Sequence, residues 1–166
     1  SNASGAGGGT LTLNVEGIDN ITVNAANAAG IGASATGSRT DIVVNFLNGN
    51  SGVSKIIATG YNADGMNILN NTAGGNVIVR QEGDIEAQFA VLHNVNVGRT
   101  PIEAIQADAQ GTGGSVSVYS SGNIKVDGGG VYLNPRGARG IVASAHTGGS
   151  GSSLIQYDNA NGTVLV

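Results

Sequence analysis

Two apolar residues separated by one polar or small residue recur down the chain at a near-constant interval. The clear copies are Leu11/Leu13, Ile42/Val44, Val77/Val79 and Val116/Val118, and Leu154-Ile155-Gln156-Tyr157 is a weaker fifth. Their first members stand 31, 35, 39 and 38 residues apart. Alternation at period two over four or five residues is the pattern of a strand with one buried face. A strand that returns at a steady interval of this size is part of a stacked unit rather than of an arbitrary sheet.

Two further elements complete the unit. Gly17, Gly83 and Gly122 each follow the apolar pair by four residues, and an isoleucine comes next: Ile18 or Ile21, then Ile85, then Ile124. In the second copy the insert at 45–51 delays the glycine to Gly52; in the last it is Gly162, followed by Val164. A glycine at a strand corner turns the chain through positive φ without a Cβ clash. The third element is 28–34, 62–68, 99–105 and 138–144, which aligns Gly30, Gly65, Pro101 and Gly140, then Ile31, Met66, Ile102 and Ile141, then Ala33, Ile68, Ala104 and Ala143. The connections that follow it are rich in Gly, Asn, Ser and Thr.

Three short strands and three corners per period describe one coil of a parallel β-helix, here an all-β solenoid of about 4–5 coils. Each strand pairs with its equivalents above and below, and the apolar positions stack inside as ladders. Burying one such side chain is worth roughly 1.5–3 kcal/mol. A single coil cannot bury its interior, so its neighbours supply the stability. An antiparallel sandwich also fits short, evenly spaced strands, but it does not account for the three-part repeat. No six-residue rhythm and no GGxGxD nonapeptide is present.

Composition agrees with one β-rich domain. The chain has 166 residues, 40% hydrophobic and 11% charged, with 29 glycines and no cysteine or tryptophan. Zero cysteines exclude a disulfide scaffold and a Cys-zinc site. The net charge is −4, and the seven basic residues stand singly, so nothing resembles a phosphate-tracking patch and nucleic acid is not an expected partner. No apolar run reaches the roughly 20 residues of a membrane helix. Ser1-Asn2-Ala3 looks like the scar of a cleaved purification tag. Residues 1–8 are therefore read as tag remnant and flexible lead, and 9–166 as one β-helix.

The unit V-x-V-x-x-x-G-x-I followed by A-x-G-I-x-A, carried by Val116, Val118, Gly122, Ile124, Ala138, Gly140, Ile141 and Ala143, resembles the passenger repeats of bacterial autotransporters (type V secretion). The resemblance runs from about Gly9 through nearly the whole chain; other secreted β-helices, including exoproteins of the filamentous-haemagglutinin type, share the pattern. It implies a right-handed β-helix exposed or secreted at a Gram-negative surface, attached to the outer membrane through a C-terminal β-barrel translocator that is not part of this chain. It also implies a virulence-associated adhesin or a structural stalk, with a host-surface protein or glycan as partner.

The residues carry no catalytic motif, and no enzymatic activity, cofactor or metal is expected. Parallel β-helices also host polysaccharide lyases and hydrolases, which leaves a carbohydrate-active enzyme or a carbohydrate-binding module as the alternative. Glycoside hydrolysis needs two carboxyls about 5–9.5 Å apart. Glu82, Asp84 and Glu86 are the candidates, but Asp84 and Glu86 flank the inward Ile85, and Glu86 reads more simply as an ion pair with Lys125 one coil on. His93 and His146 lack a partner at metal-ligand spacing. The glycine-rich stretches lack the P-loop ending, and no G-x-S-x-G elbow is present. The residue after the first apolar pair is Asn14, Asn45, Arg80, Tyr119 and, in shifted register, Tyr157. Arg80, Tyr119 and Tyr157 thus form a candidate binding stripe, since tyrosines beside an arginine can stack on sugar rings. NIT (20–22), NNT (70–72) and NGT (161–163) match a glycosylation acceptor. A fragment of such a coil leaves open strand edges, which favours end-to-end self-association.

Overall fold

Among the described residues, fifteen strands alternate among three parallel sheets in strict chain order. The computed structural model describes residues 2–5, 8–50, 52–90, 101–128, 138–146, 150–159 and 164–165. The strands are β1 (Asn2–Gly5), β2 (Gly9–Glu16), β3 (Ile21–Asn24), β4 (Ala28–Gly37), β5 (Thr40–Leu47), β6 (Lys55–Gly60), β7 (Ala63–Asn70), β8 (Val77–Gln81), β9 (Asp84–Phe89), β10 (Ile102–Ala109), β11 (Val116–Ser120), β12 (Ile124–Asp127), β13 (Ala138–Ala145), β14 (Ser153–Tyr157) and β15 (Val164–Leu165). Sheet one is β1-β4-β7-β10-β13, sheet two is β2-β5-β8-β11-β14, and sheet three is β3-β6-β9-β12-β15. Each strand of a coil belongs to a different sheet, and every sheet pair is parallel. The chain is a parallel β-helix, as the three-part repeat predicts.

The registers turn the repeat into columns. In sheet two, Leu11, Ile42, Val77 and Val116 stack, as do Leu13, Val44, Val79 and Val118. In sheet three, Ile21, Ile56, Ile85, Ile124 and Val164 form one column. This assigns the first post-glycine isoleucine to Ile21, while Ile18 lies 39% exposed. Ile42, Val44, Ile56, Val77, Val79 and Val118 are wholly buried. The interior is therefore a continuous apolar stack.

Four expectations need correction. In sheet one, Ile31 and Met66 stack on Ile105 and Ile141, and Ala33 and Ile68 on Ala107 and Ala143. The third coil is thus shifted by three residues from the predicted alignment: Ile102 pairs with Ala138, and Ala104, not Pro101, precedes the stacked isoleucine. The sequence contains I-x-A twice there, and the neighbouring rungs select the second copy. In the last coil the inward residues are Ser153, Ile155 and Tyr157, opposite Val116, Val118 and Ser120, while Leu154 takes an outward position opposite Ser117. A one-residue slip flips every side chain to the other face.

The corner before sheet three in the second coil is Ser54 rather than Gly52. Its carbonyl accepts the amide of Asp84 at 2.8 Å, and its hydroxyl donates to the Leu47 carbonyl at 2.8 Å. Finally, of the corner glycines Gly17, Gly83 and Gly122, only Gly17 uses a left-handed φ, +65°. Gly83 and Gly122 lack one and are required for space. A Cβ on Gly83 would stand 2.6 Å from the Ser54 oxygen, and one on Gly122 2.5 Å from the Glu82 oxygen. Gly162 lies outside the described residues.

One corner is polar and buried. Asn70 and Thr72 are fully buried, and Thr40 is 7% exposed. The Asn70 amide nitrogen donates to the carbonyls of Thr40 (2.7 Å) and Asn76 (3.1 Å). Its oxygen accepts from the Thr72 amide (3.0 Å) and hydroxyl (2.7 Å). Buried backbone groups must be paired, and Asn70 serves those that a tight corner leaves over. The NNT triplet is thus a structural corner, with its asparagine enclosed and no acceptor for glycosylation.

Candidate functional site

The outward row of sheet two starts as an amide ladder. Asn14, Asn45, Arg80, Tyr119 and Gln156 are in register on successive coils. Asn45 donates to the Asn14 side-chain oxygen at 2.7 Å, and Arg80 Nη1 donates to the Asn45 oxygen at 3.3 Å. The Arg80 guanidinium carbon lies 6.0 Å from the centroid of the Tyr119 ring, within reach of a cation–π attraction. Tyr119 remains 38% exposed. Beside it opens a concavity of about 220 Å³, lined by Arg80, Glu82, Tyr119, Ser121, Gln156 and Asp158 among others.

Arg80 and Tyr119 thus meet as predicted, and Tyr157 does not join them. Gln156 takes its place on the outward row. Tyr157 stands in the inward column above Gln81 and Ser120, and its hydroxyl donates to the Gly122 carbonyl at 3.2 Å. Gln81, nearly fully buried, donates to the Gly83 carbonyl and accepts from the Ser120 hydroxyl. This column carries Phe46 one coil below Gln81, so Tyr157 fills a core position.

The carboxylates of β9 form cross-coil contacts. Asp84 accepts from the amide and side chain of Asn123, both at 3.0 Å. Glu86 is clamped between Lys125 at 2.8 Å and Lys55 at 3.2 Å, and these cations hold its carboxyl below the ordinary range. Glu82 accepts from the Asn48 amide at 3.3 Å. His146 donates its backbone amide to Ala109. His93 lies outside the described residues.

A second polar cluster on sheet one was not singled out from the sequence. Asp64 and Glu103 are each only 4% exposed, and Asp108 is 9% exposed. Asp64 accepts from the Glu103 amide (3.1 Å) and from Asn67 (3.2 Å). Asn67 also donates to Gln106 (3.0 Å), and Gln106 donates to Asp108 (3.1 Å). Arg139, one coil on from Glu103, pairs with it at 3.1 Å. Desolvation raises the pKa of Asp64. Desolvation first, then the charge of Asp64, raises that of Glu103. A cleft of about 390 Å³ opens beside Asp64, Asn67, Asn27 and Asn62. The only signal available in sequence was the 39-residue offset of Asp64 and Glu103, which has meaning only once the shifted register is known. Among the described residues no group of three or more His, Cys, Asp or Glu could hold a metal ion.

No family model matches the chain, and neither a curated protein nor a solved structure matches it.

Proposed function

We propose that this chain is a non-enzymatic extracellular segment of an autotransporter-like surface protein, acting as an adhesin or stalk at the bacterial surface, with the Arg80–Tyr119 concavity as its contact point for a host glycan or surface protein. The observation that supports binding is the half-exposed Tyr119 ring with a guanidinium at its face and hydroxyl, amide and carboxylate groups around it. An aromatic face with polar neighbours suits a sugar ring, whose apolar face stacks while its hydroxyls find partners. A glycan array tests it. Binding by the intact chain that is lost in Tyr119→Ala and retained in Asn14→Ala supports the reading; no binding across the array removes the glycan-binding role.

A carbohydrate-active β-helix is the second reading, favoured by the raised carboxyls of Asp64 and Glu103 near a cleft, since displaced pKa values concentrate at functional sites. Against it, both Asp64 oxygens accept hydrogen bonds within the cluster and Arg139 holds Glu103. Incubation with uronate polysaccharides separates the two, because new unsaturated or reducing ends would establish an enzyme.

A further inference from the structure

The outward face of sheet two is acidic along its length. Among the described residues its charged side chains are Glu16, Asp41, Glu82 and Asp158 against Arg80 alone. The same imbalance surrounds the Tyr119 concavity. The parallel pairing continues one step past β8, β11 and β14: the Ser121 amide donates to the Gln81 carbonyl, and the Asp158 amide to the Ser120 carbonyl. Glu82, Ser121 and Asp158 therefore form one column, with an acid on the coil to either side of a hydroxyl. Side chains alternate along a strand, so this column shares its face with Arg80, Tyr119 and Gln156. Arg80, Glu82 and Asp158 are all exposed.

The one base of the site is already engaged. Arg80 donates to the Asn45 oxygen at 3.3 Å and lies against the Tyr119 ring. A carboxylate brought to it arrives beside Glu82, two residues along the same face. No other cation is near enough to offset the acids. Lys55 and Lys125 of the adjoining sheet are paired with Glu86. Arg39 passes Gly74 at the far corner of the face, and its backbone stands roughly 20 Å along the strand from the row of Asn45 and Arg80.

We infer that this site, taken as the glycan contact proposed above and resting on that reading, selects sugars that carry an amine and rejects those that carry a carboxylate. Tyr119 supplies a ring for stacking, and Glu82 and Asp158 accept from an ammonium group and from hydroxyls. The concavity of about 220 Å³ is smaller than the roughly 300–1,000 Å³ of sites that enclose a drug-sized ligand, so it takes one sugar unit of a longer chain. A basic protein segment offers the same charge. A sugar unit also brings hydroxyls for Ser121 and Gln156, which a lysine side chain does not, and this favours the glycan.

Titration calorimetry of the intact chain tests the selection. The probes are glucosamine, N-acetylglucosamine and galacturonate oligomers of equal length and a lysine oligomer, at low salt and at a pH where the amines are protonated. The glucosamine oligomer is expected to bind about ten-fold more tightly than its acetylated counterpart, since each of two acids at about 6 Å in water is worth about three-fold. Galacturonate should give no binding, and added salt should narrow the ten-fold ratio. Glu82→Gln/Asp158→Asn, which keeps an oxygen for the Asn48 amide, should bring that ratio close to one. Tyr119→Ala should abolish glucosamine binding; binding that survives it comes from elsewhere on the acidic surface and overturns the inference. Galacturonate bound as tightly as glucosamine, or equal binding of the amine and acetylated oligomers, overturns the selection while Tyr119-dependent glycan binding stands. Failure of all three sugars to bind removes both. A lysine oligomer bound through Tyr119 more tightly than glucosamine overturns the sugar and assigns the site to a basic protein segment.

Discussion

Glu103 sits one coil beyond Asp64 on sheet one and donates its backbone amide to the Asp64 carboxylate at 3.1 Å, with both acids almost wholly buried. Two carboxyls thus share a desolvated row in which Arg139 pairs with Glu103. A carboxyl with a raised folded-state pKa stabilises the fold below its ordinary range, and that contribution is lost as pH rises from there through the raised value. Asp64 and Glu103 belong to this class. Glu86 is the opposite case: its lowered pKa stabilises above the ordinary range and is lost as pH falls through the lowered value.

Glu103→Gln keeps an oxygen for Arg139 and removes the buried charge. The variant is expected to be more stable than wild type at pH 7, by about 1 kcal/mol. The advantage should shrink as the pH approaches 4 and the wild-type acid becomes protonated. Urea denaturation at the two pH values checks this, and equal stability at pH 7 would show that Arg139 already compensates the charge.

Asn70 should be the costliest polar side chain to remove. Asn70→Ala leaves the Thr72 amide without its partner in a buried corner and takes one donor each from the carbonyls of Thr40 and Asn76, which keep the Thr72 hydroxyl and the Ile42 amide. A loss of about 3 kcal/mol is expected. Asn45→Ala, on the exposed ladder, should change stability by less than about 0.5 kcal/mol. Denaturant midpoints compare the two.

Glycines at two corners should respond differently to alanine. At Gly122 the added Cβ meets the Glu82 carbonyl oxygen at 2.5 Å, so the coil must spread, at a cost of about 3 kcal/mol. At Gly113 nothing lies within 4 Å, but φ is +80°, and the cost is conformational alone, about 1 kcal/mol. Thermal melts of Gly122→Ala and Gly113→Ala should differ by several degrees, and equal melts would refute the steric account of Gly122.

Position in the stack should grade the core. Ile85, buried between Ile56 and Ile124, should lose about 3 kcal/mol on substitution by alanine. Ile155, half-exposed at the end face, should lose about 1 kcal/mol or less. Calorimetry of monomeric samples measures both.

The columns that the sequence displayed most openly are those where the apolar pair is unambiguous: Val77/Val79 over Val116/Val118, and Ile85 under Ile124. Their alternation and spacing repeat together, so pattern and register coincide. The third strand of the third coil is ambiguous in sequence because Ile102-Glu103-Ala104 and Ile105-Gln106-Ala107 offer the same local pattern, and only packing against Met66 and Ile141 distinguishes them. The same ambiguity concealed the Asp64–Glu103–Arg139 row. Arg80 and Tyr119 could be placed from the sequence because both follow clear valine pairs. Tyr157 could not, because Ser153 occupies the inward position where the repeat has valine. The role of Ser54 as a corner was hidden by the insert, which delays the chain and leaves no glycine in the expected place.

The hydrogen bonds between coils all run along the axis of the stack, and the chain enters at one end and leaves at the other. A pull applied through the two termini therefore loads the terminal rung alone, and the bonds open in sequence rather than together. Each released coil of about 35 residues lengthens the molecule by roughly 110 Å. Under tension the solenoid behaves as a ratcheted cable that yields in equal steps, and the rungs still closed keep their shape.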